Sequence, residues 1–294
     1  MSIEKLISEL DPKKSIYLHY PERAQSIKTI MDSLDVELSS MEYRVIKCTS
    51  LWNSLLEIIK NRDSTHILNL ERNILSFFCK TKICWLHGGP ASSMSLLRYY
   101  LVKFYTTIAI QKGRITVVVS DLLNSTIKTN FNVKSRILVI SNLWALDKKV
   151  FKRNNQNLIG QRELDVIYVG RMTRLKKIDK IESIFNILSK KGLLVGMYGL
   201  PEFKSKYYFG NLEYPNSVAE IMKKSKAIIN LNEFEPYGLT LMEGHRSGCK
   251  VICTHATGAI KDIINENGDL LLLSENDEPN ILSKQILSFL EYKS

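Results

Sequence analysis

Two glutamates flank a turn in the C-terminal half of the sequence. Glu235 precedes the turn residues Pro236 and Gly238, and Glu243 lies about one turn inside a helix expected to begin near Tyr237–Leu239. Free N–H groups and the positive dipole end of such a helix bind anions without a cationic side chain. Acids would repel a phosphate bound there. The two glutamates are better suited to accept hydrogen bonds from hydroxyl groups on either side of the phosphate. The spacing predicts a site for a phosphate ligand carrying sugar and ribose hydroxyls. The alternative is two ordinary acids, one at a helix start and one on a solvated helix face.

A second candidate loop follows the apolar stretch that ends at Val169. Gly170 lets the backbone turn where a side chain would block a ligand, and Arg171 and Lys176 place two cations behind it. A planar guanidinium and a compact ammonium both suit a diphosphate. A basic loop after a strand is, on its own, more often a solvated surface.

A histidine occupies the equivalent place in the N-terminal half. His87 ends the apolar stretch Ile83–His87 and is followed by Gly88 and Gly89. Lone histidines are usually structural, but a position at a strand end favours a ligand-binding role here. The remaining histidines fit no metal-ligand spacing.

The elements that must position these residues alternate along the whole chain. Short β-branched or aromatic stretches alternate with segments whose apolar residues recur every three or four positions, which predicts parallel sheets built from βαβ units. In such sheets ligands bind beyond the carboxyl ends of the strands, where the candidate loops fall. The polar run Lys152–Arg162 predicts a hinge between domains of residues 1–150 and 151–294. Predicted strands are Ser15–Tyr20, Tyr43–Cys48, His66–Leu70, Ile83–His87, Ile115–Ser120, Arg136–Ile140, Asp165–Val169, Leu193–Tyr198, Ala227–Leu231 and Val251–Thr254, and predicted helices include Arg23–Leu34, Leu51–Lys60 and Ser93–Gln111.

The second half resembles a known family in several motifs. E-P-Y-G-L-T-L-M-E-G (Glu235–Gly244), followed by S-G-C-K-V-I and T-G-A-I-K-D (Thr257–Asp262), is similar to the donor domain of retaining GT-B glycosyltransferases with an E-x7-E motif, of the group 1 or family 4 type. The resemblance runs from about Val166 to Leu272. It includes V-G-R-x4-K and F-G-N-L (Phe209–Leu212), the latter similar to a strand that contacts the nucleobase. The N-terminal half departs from the family, since no glycine-rich loop follows its first strand at Pro21–Gln25.

The resemblance implies two Rossmann-like α/β domains facing across a cleft, a short N-terminal acceptor side and a C-terminal donor side. It implies transfer of a hexose with retention from a UDP-, GDP- or ADP-sugar to a lipid, glycan or protein glycan, without a cofactor or metal. The absence of Asp-x-Asp, a manganese-binding motif of the other main glycosyltransferase fold, agrees with this. The implied roles are Arg171 and Lys176 on the diphosphate behind Gly170, Glu243 on the ribose, Glu235 on the transferred sugar, backbone amides of Tyr237, Gly238, Leu239 and Thr240 on sugar and phosphate, Leu212 at the base, and His87 at the donor sugar near the reaction centre.

The charge and the composition of the chain limit the classes of partner and the cellular compartment that fit it. The formal net charge is +11, of which residues 1–150 carry +8 and residues 151–294 carry +3. The basic first half indicates either a solvated surface or a face that meets an anionic membrane, a polysaccharide or a nucleic acid. No apolar run approaches the roughly 20 residues of a membrane span, and the N-terminus is a poor signal peptide. Five scattered cysteines are typical of reduced thiols. We expect a cytoplasmic protein, with peripheral contact at a membrane surface or a polyanion if the basic half is a binding face.

Three other interpretations remain open from the sequence. A sugar-nucleotide epimerase would share the fold, but the E-x7-E pattern argues against it. A nucleic-acid-binding protein agrees with the sequence pI of about 9.3, although no recognised nucleic-acid motif is present. A glycosyltransferase that modifies DNA combines both features.

Overall fold

The computed structural model describes residues 3–22, 25–89, 95–152, 162–173 and 176–291. Contacts divide the chain into two compact units, Met1–Ala145 and Leu146–Ser294. Each unit contains one sheet in which all paired strands are parallel. Most of the predicted hinge and part of the Pro21–Gln25 loop lie outside the described residues.

The first unit has a six-stranded sheet in the order β2-β1-β3-β4-β5-β6. Its strands are almost continuously apolar, as expected for a parallel sheet covered on both faces. Ser50 and Ser120 cap the helices that follow β2 and β5, each accepting from the amide three residues later. In chain order the elements are α1 Glu4–Ile7, β1 Ile16–His19, α2 Gln25–Ser40, β2 Val45–Cys48, α3 Leu51–Lys60, β3 Thr65–Asn69, the 3-10 helix Leu70–Phe77, β4 Thr81–Leu86, α4 Leu96–Lys112, β5 Ile115–Val118, α5 Asp121–Asn130, β6 Arg136–Val139 and the 3-10 helix Asn142–Ala145.

The second unit has a five-stranded sheet in the order β11-β10-β9-β7-β8. Helix α6 shows why these segments fold as they do, since its residues at three- and four-residue spacing, among them Ile178, Ile181, Phe185 and Leu188, are all buried against the sheet. The elements are β7 Leu164–Val169, α6 Ile178–Lys190, β8 Val195–Tyr198, α7 Asn216–Lys223, β9 Ser225–Asn230, α8 Leu239–Arg246, β10 Lys250–Thr254, α9 Ile260–Asn265, β11 Leu270–Leu273 and α10 Pro279–Glu291.

The strand order of the second unit locates its ligand crevice. The chain moves outward from β7 to β8 on one side, then returns to add β9, β10 and β11 on the other. The order therefore reverses between β7 and β9, and open α/β sheets bind ligands beyond the carboxyl ends of strands at such a switch point. The loops after β7 and β9 are the two candidate loops of the C-terminal half.

The predicted α/β class with parallel sheets is confirmed, and all ten predicted strands are present with ends shifted by at most two residues. Strand β11 and the 3-10 helix Leu70–Phe77 are among the elements that were not predicted. The family resemblance also implied a strand at Phe209–Leu212, and the structure has no strand at these residues. Tyr208 makes a single parallel bridge to Met197, after which the chain runs beside the end of β8 without forming a ladder.

Candidate functional site

An ion pair joins the two loops at the switch point of the second unit. Lys176, in the loop after β7, places Nζ 2.6 Å from Oε2 of Glu235, in the loop after β9. The same carboxylate oxygen accepts from Nδ2 of Asn232 and, at 3.5 Å, from Nδ2 of Asn230. A neighbouring pair, Lys177 with Glu233 at 3.2 Å, joins the same two loops. Cation, carboxylate and amide groups therefore converge where the topology places a ligand.

Backbone hydrogen bonds hold the Glu235 loop against the loop that follows β10. The amide of Glu235 donates to Ala256 at 2.8 Å, and its carbonyl accepts from Gly258 at 2.9 Å. Two residues on, the carbonyl of Tyr237 accepts from the amide of Ala259. The Tyr237 hydroxyl also donates to Asp262 at 2.9 Å. A loop held on both sides is preorganised, so little ordering cost falls on ligand binding.

Helix α8 begins at Leu239, within the predicted interval, and Gly238 precedes it in the left-handed conformation with φ 95°. A Cβ at Gly238 would lie 3.3 Å from side-chain carbons of Glu235 and of Thr257, a tight contact that adds to the strain of the positive φ, so the turn favours glycine. The first amides of a helix have no partner within it, which leaves those of Leu239 and Thr240 directed beyond the helix start. This end of α8 has the geometry of an anion site.

Glu243 is buried rather than solvated, which rules out the surface interpretation of this residue. Its side chain is 3% exposed in the second turn of α8, and Oε1 accepts from the Tyr214 hydroxyl at 3.0 Å. Burial raises the pKa of this carboxyl to about 7, and the hydrogen bond from Tyr214 acts in the opposite direction. Near neutral pH this carboxyl is therefore about half protonated, and its ionised form accepts hydrogen bonds from hydroxyl groups.

Gly170 and Arg171 follow β7 directly. The Arg171 carbonyl accepts from the Tyr168 hydroxyl at 2.8 Å, while the residue itself is exposed. Gly170 packs against Gly199 at the end of β8, where a Cβ on Gly199 would lie 1.7 Å from the Gly170 carbonyl oxygen. The two strand ends therefore approach each other more closely than side chains would allow.

The segment containing Leu212 runs past the end of β8. Gly199 donates its amide to Gly210 at 2.9 Å, and the exposed ring of Phe209 stacks on Tyr198 with centroids 5.8 Å apart. Leu212 is half-buried beyond this contact. The F-G-N-L motif is thus an irregular segment beside the sheet.

His87 lies in the first unit, in a polar network at the ends of β1, β3 and β4. Its Nε2 donates to Oδ1 of Asn69 at 2.8 Å, since Nδ2 of Asn69 donates to the His19 carbonyl at 3.0 Å. The ring stacks on Trp85, and burial lowers its pKa to about 3. Within the described part of the chain, Nδ1 of His87 has no hydrogen-bond partner. The imidazole is therefore neutral with an available lone pair.

A buried histidine pair extends this network. His66 Nε2 donates to the Asn61 carbonyl at 2.9 Å, so its Nδ1 accepts from Nε2 of His19 at 3.0 Å. Burial lowers the pKa of both rings, that of His19 the more strongly. Both histidines are neutral and structural.

Sequence reasoning missed three polar residues of the second unit. Asn230 and Asn232 both reach Glu235, and Tyr214 reaches Glu243. The two asparagines bracket the end of β9, where a polar residue after an apolar strand is itself a signal. Tyr214 gives no such signal, because it meets Glu243 through the tertiary fold alone.

The described residues contain neither a metal-binding cluster nor a membrane-spanning helix. Across those ranges, no group of three or more His, Cys, Asp or Glu side chains is arranged to hold a metal ion. Among the same residues, no helix has the length and apolar character required to cross a bilayer.

Comparison with protein families gives one match. Residues 150–294, just under half of the chain, match the family described as Glycosyl transferases group 1. No curated protein sequence matches the chain.

Solved structures with a similar fold are numerous. A variant of S. aureus TarM in complex with fondaparinux, alpha-GlcNAc-glycerol and UDP has a TM-score of 0.62 at 18% identity, covering 81% of this chain and 51% of its own. The pneumococcal O-GlcNAc transferase GtfA in complex with UDP and GlcNAc has a TM-score of 0.59 at 16% identity, covering 81% and 51%. Sucrose-phosphate synthase from Thermosynechococcus elongatus has a TM-score of 0.72 at 11% identity, covering 95% and 90%. The chain spans about half the length of the first two proteins and has the GT-B fold of all three.

Proposed function

We propose, on the premise that residues 150–294 belong to the glycosyl transferases group 1 family, that this protein transfers a hexose from a nucleoside diphosphate sugar. One observation carries the proposal. Lys176 and Glu235 meet at 2.6 Å across the switch point, beside the free amides that begin α8. A cation for a diphosphate and a carboxylate for sugar hydroxyls thus share one site, as a nucleotide-sugar donor requires.

Each side chain has a distinct part in this proposal. Arg171 and Lys176 hold the donor diphosphate and stabilise the charge that builds on it as the sugar–oxygen bond breaks. Preorganised donors of this kind contribute about 2.7–4 kcal/mol each in other enzymes. Glu235 accepts hydrogen bonds from hydroxyls of the transferred sugar. Glu243 accepts hydrogen bonds from the ribose hydroxyls, which replace the hydrogen bond from Tyr214. The acceptor hydroxyl forms the new bond to the sugar carbon with retention, and the departing nucleoside diphosphate takes up the proton of that hydroxyl. No metal takes part.

The ion pair explains why the donor site does not require a large rearrangement. In the free protein the Lys176 ammonium and the Glu235 carboxylate neutralise each other at partly buried positions. A diphosphate that binds from the α8 side shares the Lys176 ammonium with Glu235. Hydrogen bonds from Asn232 and Asn230 then keep Glu235 in its orientation. The same two asparagines keep the carboxylate in place when the sugar has departed.

A donor panel tests the proposal directly. UDP-, GDP- and ADP-sugars are compared by thermal shift, where a ligand at about 100 times its dissociation constant stabilises the protein by roughly 2.7 kcal/mol. UDP-GlcNAc is the first probe, since the TarM and GtfA complexes contain UDP with GlcNAc or a GlcNAc glycoside. Absence of stabilisation by every donor would contradict the proposal, and conversion of a donor without any acceptor would indicate an epimerase.

Two variants separate the roles of the glutamates. Glu243→Ala should weaken binding of the free nucleotide, because the ribose loses its carboxylate. Glu235→Ala should leave nucleotide binding nearly intact and reduce turnover. The exposed Glu202 supplies a matched control, Glu202→Ala, in the same unit. Equal effects of the first two variants on nucleotide binding, measured by calorimetry, would refute this division of roles.

A further inference from the structure

Helix α4 exposes a stripe of apolar side chains near its beginning. Leu97, Tyr100, Leu101 and Phe104, called here the α4 stripe, are 74%, 59%, 43% and 51% exposed. Their spacing of three, four and seven residues places them on one face of the helix. The buried residues of α4 begin only at Thr106. An apolar helix face turned to solvent marks an interaction surface.

The apolar exposure continues on the neighbouring element. The 3-10 helix Leu70–Phe77 packs against α4, and Phe77 and Phe78 are 52% and 49% exposed. Lys112, at the end of α4, holds its ammonium 5.6 Å from the centre of the Phe77 ring. Aromatic rings and a lysine therefore extend the surface beyond the stripe.

The same part of the chain carries charge of a single sign. Between Arg72 and Ser120 the sequence contains seven Lys or Arg residues and no Asp or Glu, although acids outside this segment pair with Arg72, Lys80 and Arg114. Arg98 and Lys103 lie on α4 itself, and both are exposed. The α4 stripe is thus accompanied by cations that no acid of its own helix neutralises.

We propose that the α4 stripe docks on the surface of a bilayer that contains anionic lipids. Leucine, tyrosine and phenylalanine side chains enter the boundary between headgroups and acyl chains, while Arg98 and Lys103 contact lipid phosphates, as in interfacial helices. A second copy of the chain fits less well, because two faces with the same positive charge repel each other. Duplex DNA would match the cations but leaves the exposed leucines without a partner, since most of its contacts are polar. This inference stands on the first unit alone and does not depend on the transferase proposal.

Vesicle binding by the full chain tests the docking surface. Sucrose-loaded vesicles of phosphatidylcholine with about 30% phosphatidylglycerol are compared with phosphatidylcholine alone in a sedimentation assay. We expect binding to the anionic vesicles at low salt, reduced at least roughly tenfold without the anionic lipid. Near 0.5 M salt binding should also weaken, because the screening length falls well below the ~8 Å of physiological salt.

The decisive variants remove apolar surface from exposed positions. The double variant Leu97→Ser and Leu101→Ser should lower the vesicle partition coefficient at least roughly tenfold, since it withdraws two leucines from the lipid. The matched control, Val36→Ser and Leu194→Ser, alters residues 70% and 61% exposed elsewhere and should bind as the unaltered protein does. Thermal melting checks that both double variants are folded.

A charge variant tests the second component of the surface. Arg98→Gln with Lys103→Gln should weaken binding to anionic vesicles about thirtyfold, since each cation near the membrane contributes about 1 kcal/mol. The control Lys190→Gln with Lys191→Gln removes two exposed lysines from the other unit and should have no effect.

Several outcomes would overturn the inference. They are failure of the unaltered protein to bind anionic vesicles, equal binding by the stripe variant, or equal loss in the stripe and control variants. If the unaltered protein is a dimer in size-exclusion chromatography and the stripe variant is a monomer, the surface binds a second copy of the chain instead. Tighter binding to duplex DNA than to vesicles, unchanged in the stripe variant, would assign the cations to nucleic acid. Because donor binding is measured separately, loss of vesicle binding with an intact donor response distinguishes this inference from the proposed function.

Discussion

Replacement of Glu243 by glutamine should change how the stability of the second unit depends on pH. The carboxyl is 3% exposed, and burial raises its pKa from an ordinary 4.5 to about 7. Because the pKa is raised in the folded state, the protonated group stabilises the fold relative to the ionised one. This contribution is complete below about pH 4.5 and is lost as pH rises through about 7.

The magnitude follows from the two pKa values. Each unit between them corresponds to about 1.4 kcal/mol, so full ionisation costs roughly 3 kcal/mol. Part of this cost is already present at pH 5, because the unfolded chain is by then partly ionised. Glutamine keeps the shape and the contact with Tyr214 but does not titrate. The free energy of unfolding of Glu243→Gln, relative to the unaltered protein, should therefore rise by about 2–3 kcal/mol between pH 5 and pH 8.

The assay must report on the second unit. All three tryptophans, Trp52, Trp85 and Trp144, precede Leu146, so intrinsic tryptophan fluorescence follows the first unit only. Urea unfolding followed by hydrogen-exchange mass spectrometry of peptides from β9 and α8 reports on the correct one. The exposed Glu202 supplies the control, Glu202→Gln. Its free energy of unfolding relative to the unaltered protein should not change with pH. If the free energy of unfolding of Glu243→Gln relative to the unaltered protein stays constant or falls between pH 5 and pH 8, the reasoning is refuted.

Three further predictions concern the donor site. Gly199→Ala places a Cβ 1.7 Å from the Gly170 carbonyl oxygen and should cost at least about 3 kcal/mol in urea unfolding. Gly210→Ala, also at positive φ but with no atom within 4 Å, should cost only about 1–2 kcal/mol, and equal costs would contradict the close-packing argument. Lys176→Met should weaken nucleoside diphosphate binding roughly tenfold or more in calorimetry and leave binding of the nucleoside unchanged. An equal loss of nucleoside binding would contradict a role of Lys176 in binding the diphosphate. Transfer activity should persist in EDTA, whereas a loss greater than about tenfold that manganese restores would exclude the metal-free mechanism.

Local patterns predicted most of the fold because parallel strands are short, apolar and bounded by polar residues. The alternation of strands and helices was sufficient to predict two parallel sheets and to place the candidate loops at strand ends. Strand β11, Leu270–Leu273, was missed because four consecutive leucines favour a helix as much as a strand, and its pairing with β10 decides the conformation. The 3-10 helix Leu70–Phe77 was also missed, although its apolar residues Leu70, Ile74 and Phe77 recur at four- and three-residue spacing.

The candidate site was predictable as a set of positions but not as a set of contacts. The sequence indicated that Lys176 and Glu235 both follow strands, yet they are 59 residues apart and only the strand order brings them together. Glu243 was expected to meet a ligand hydroxyl, and its burial beneath Tyr214, 29 residues away, depends on tertiary packing. The roles assigned to these residues stay predictions until donor binding is measured.

The neutral histidine pair of the first unit and Glu243 of the second respond to acid in opposite directions. Burial lowers the pKa of His19 and His66 in the folded state, so the first unit loses stability as pH falls below about 6.5 and the unfolded chain takes up protons. The second unit loses the contribution of Glu243 as pH rises towards 7 and beyond. Acid therefore removes the contribution of the neutral histidine pair to the first unit, and mild alkali removes that of Glu243 to the second.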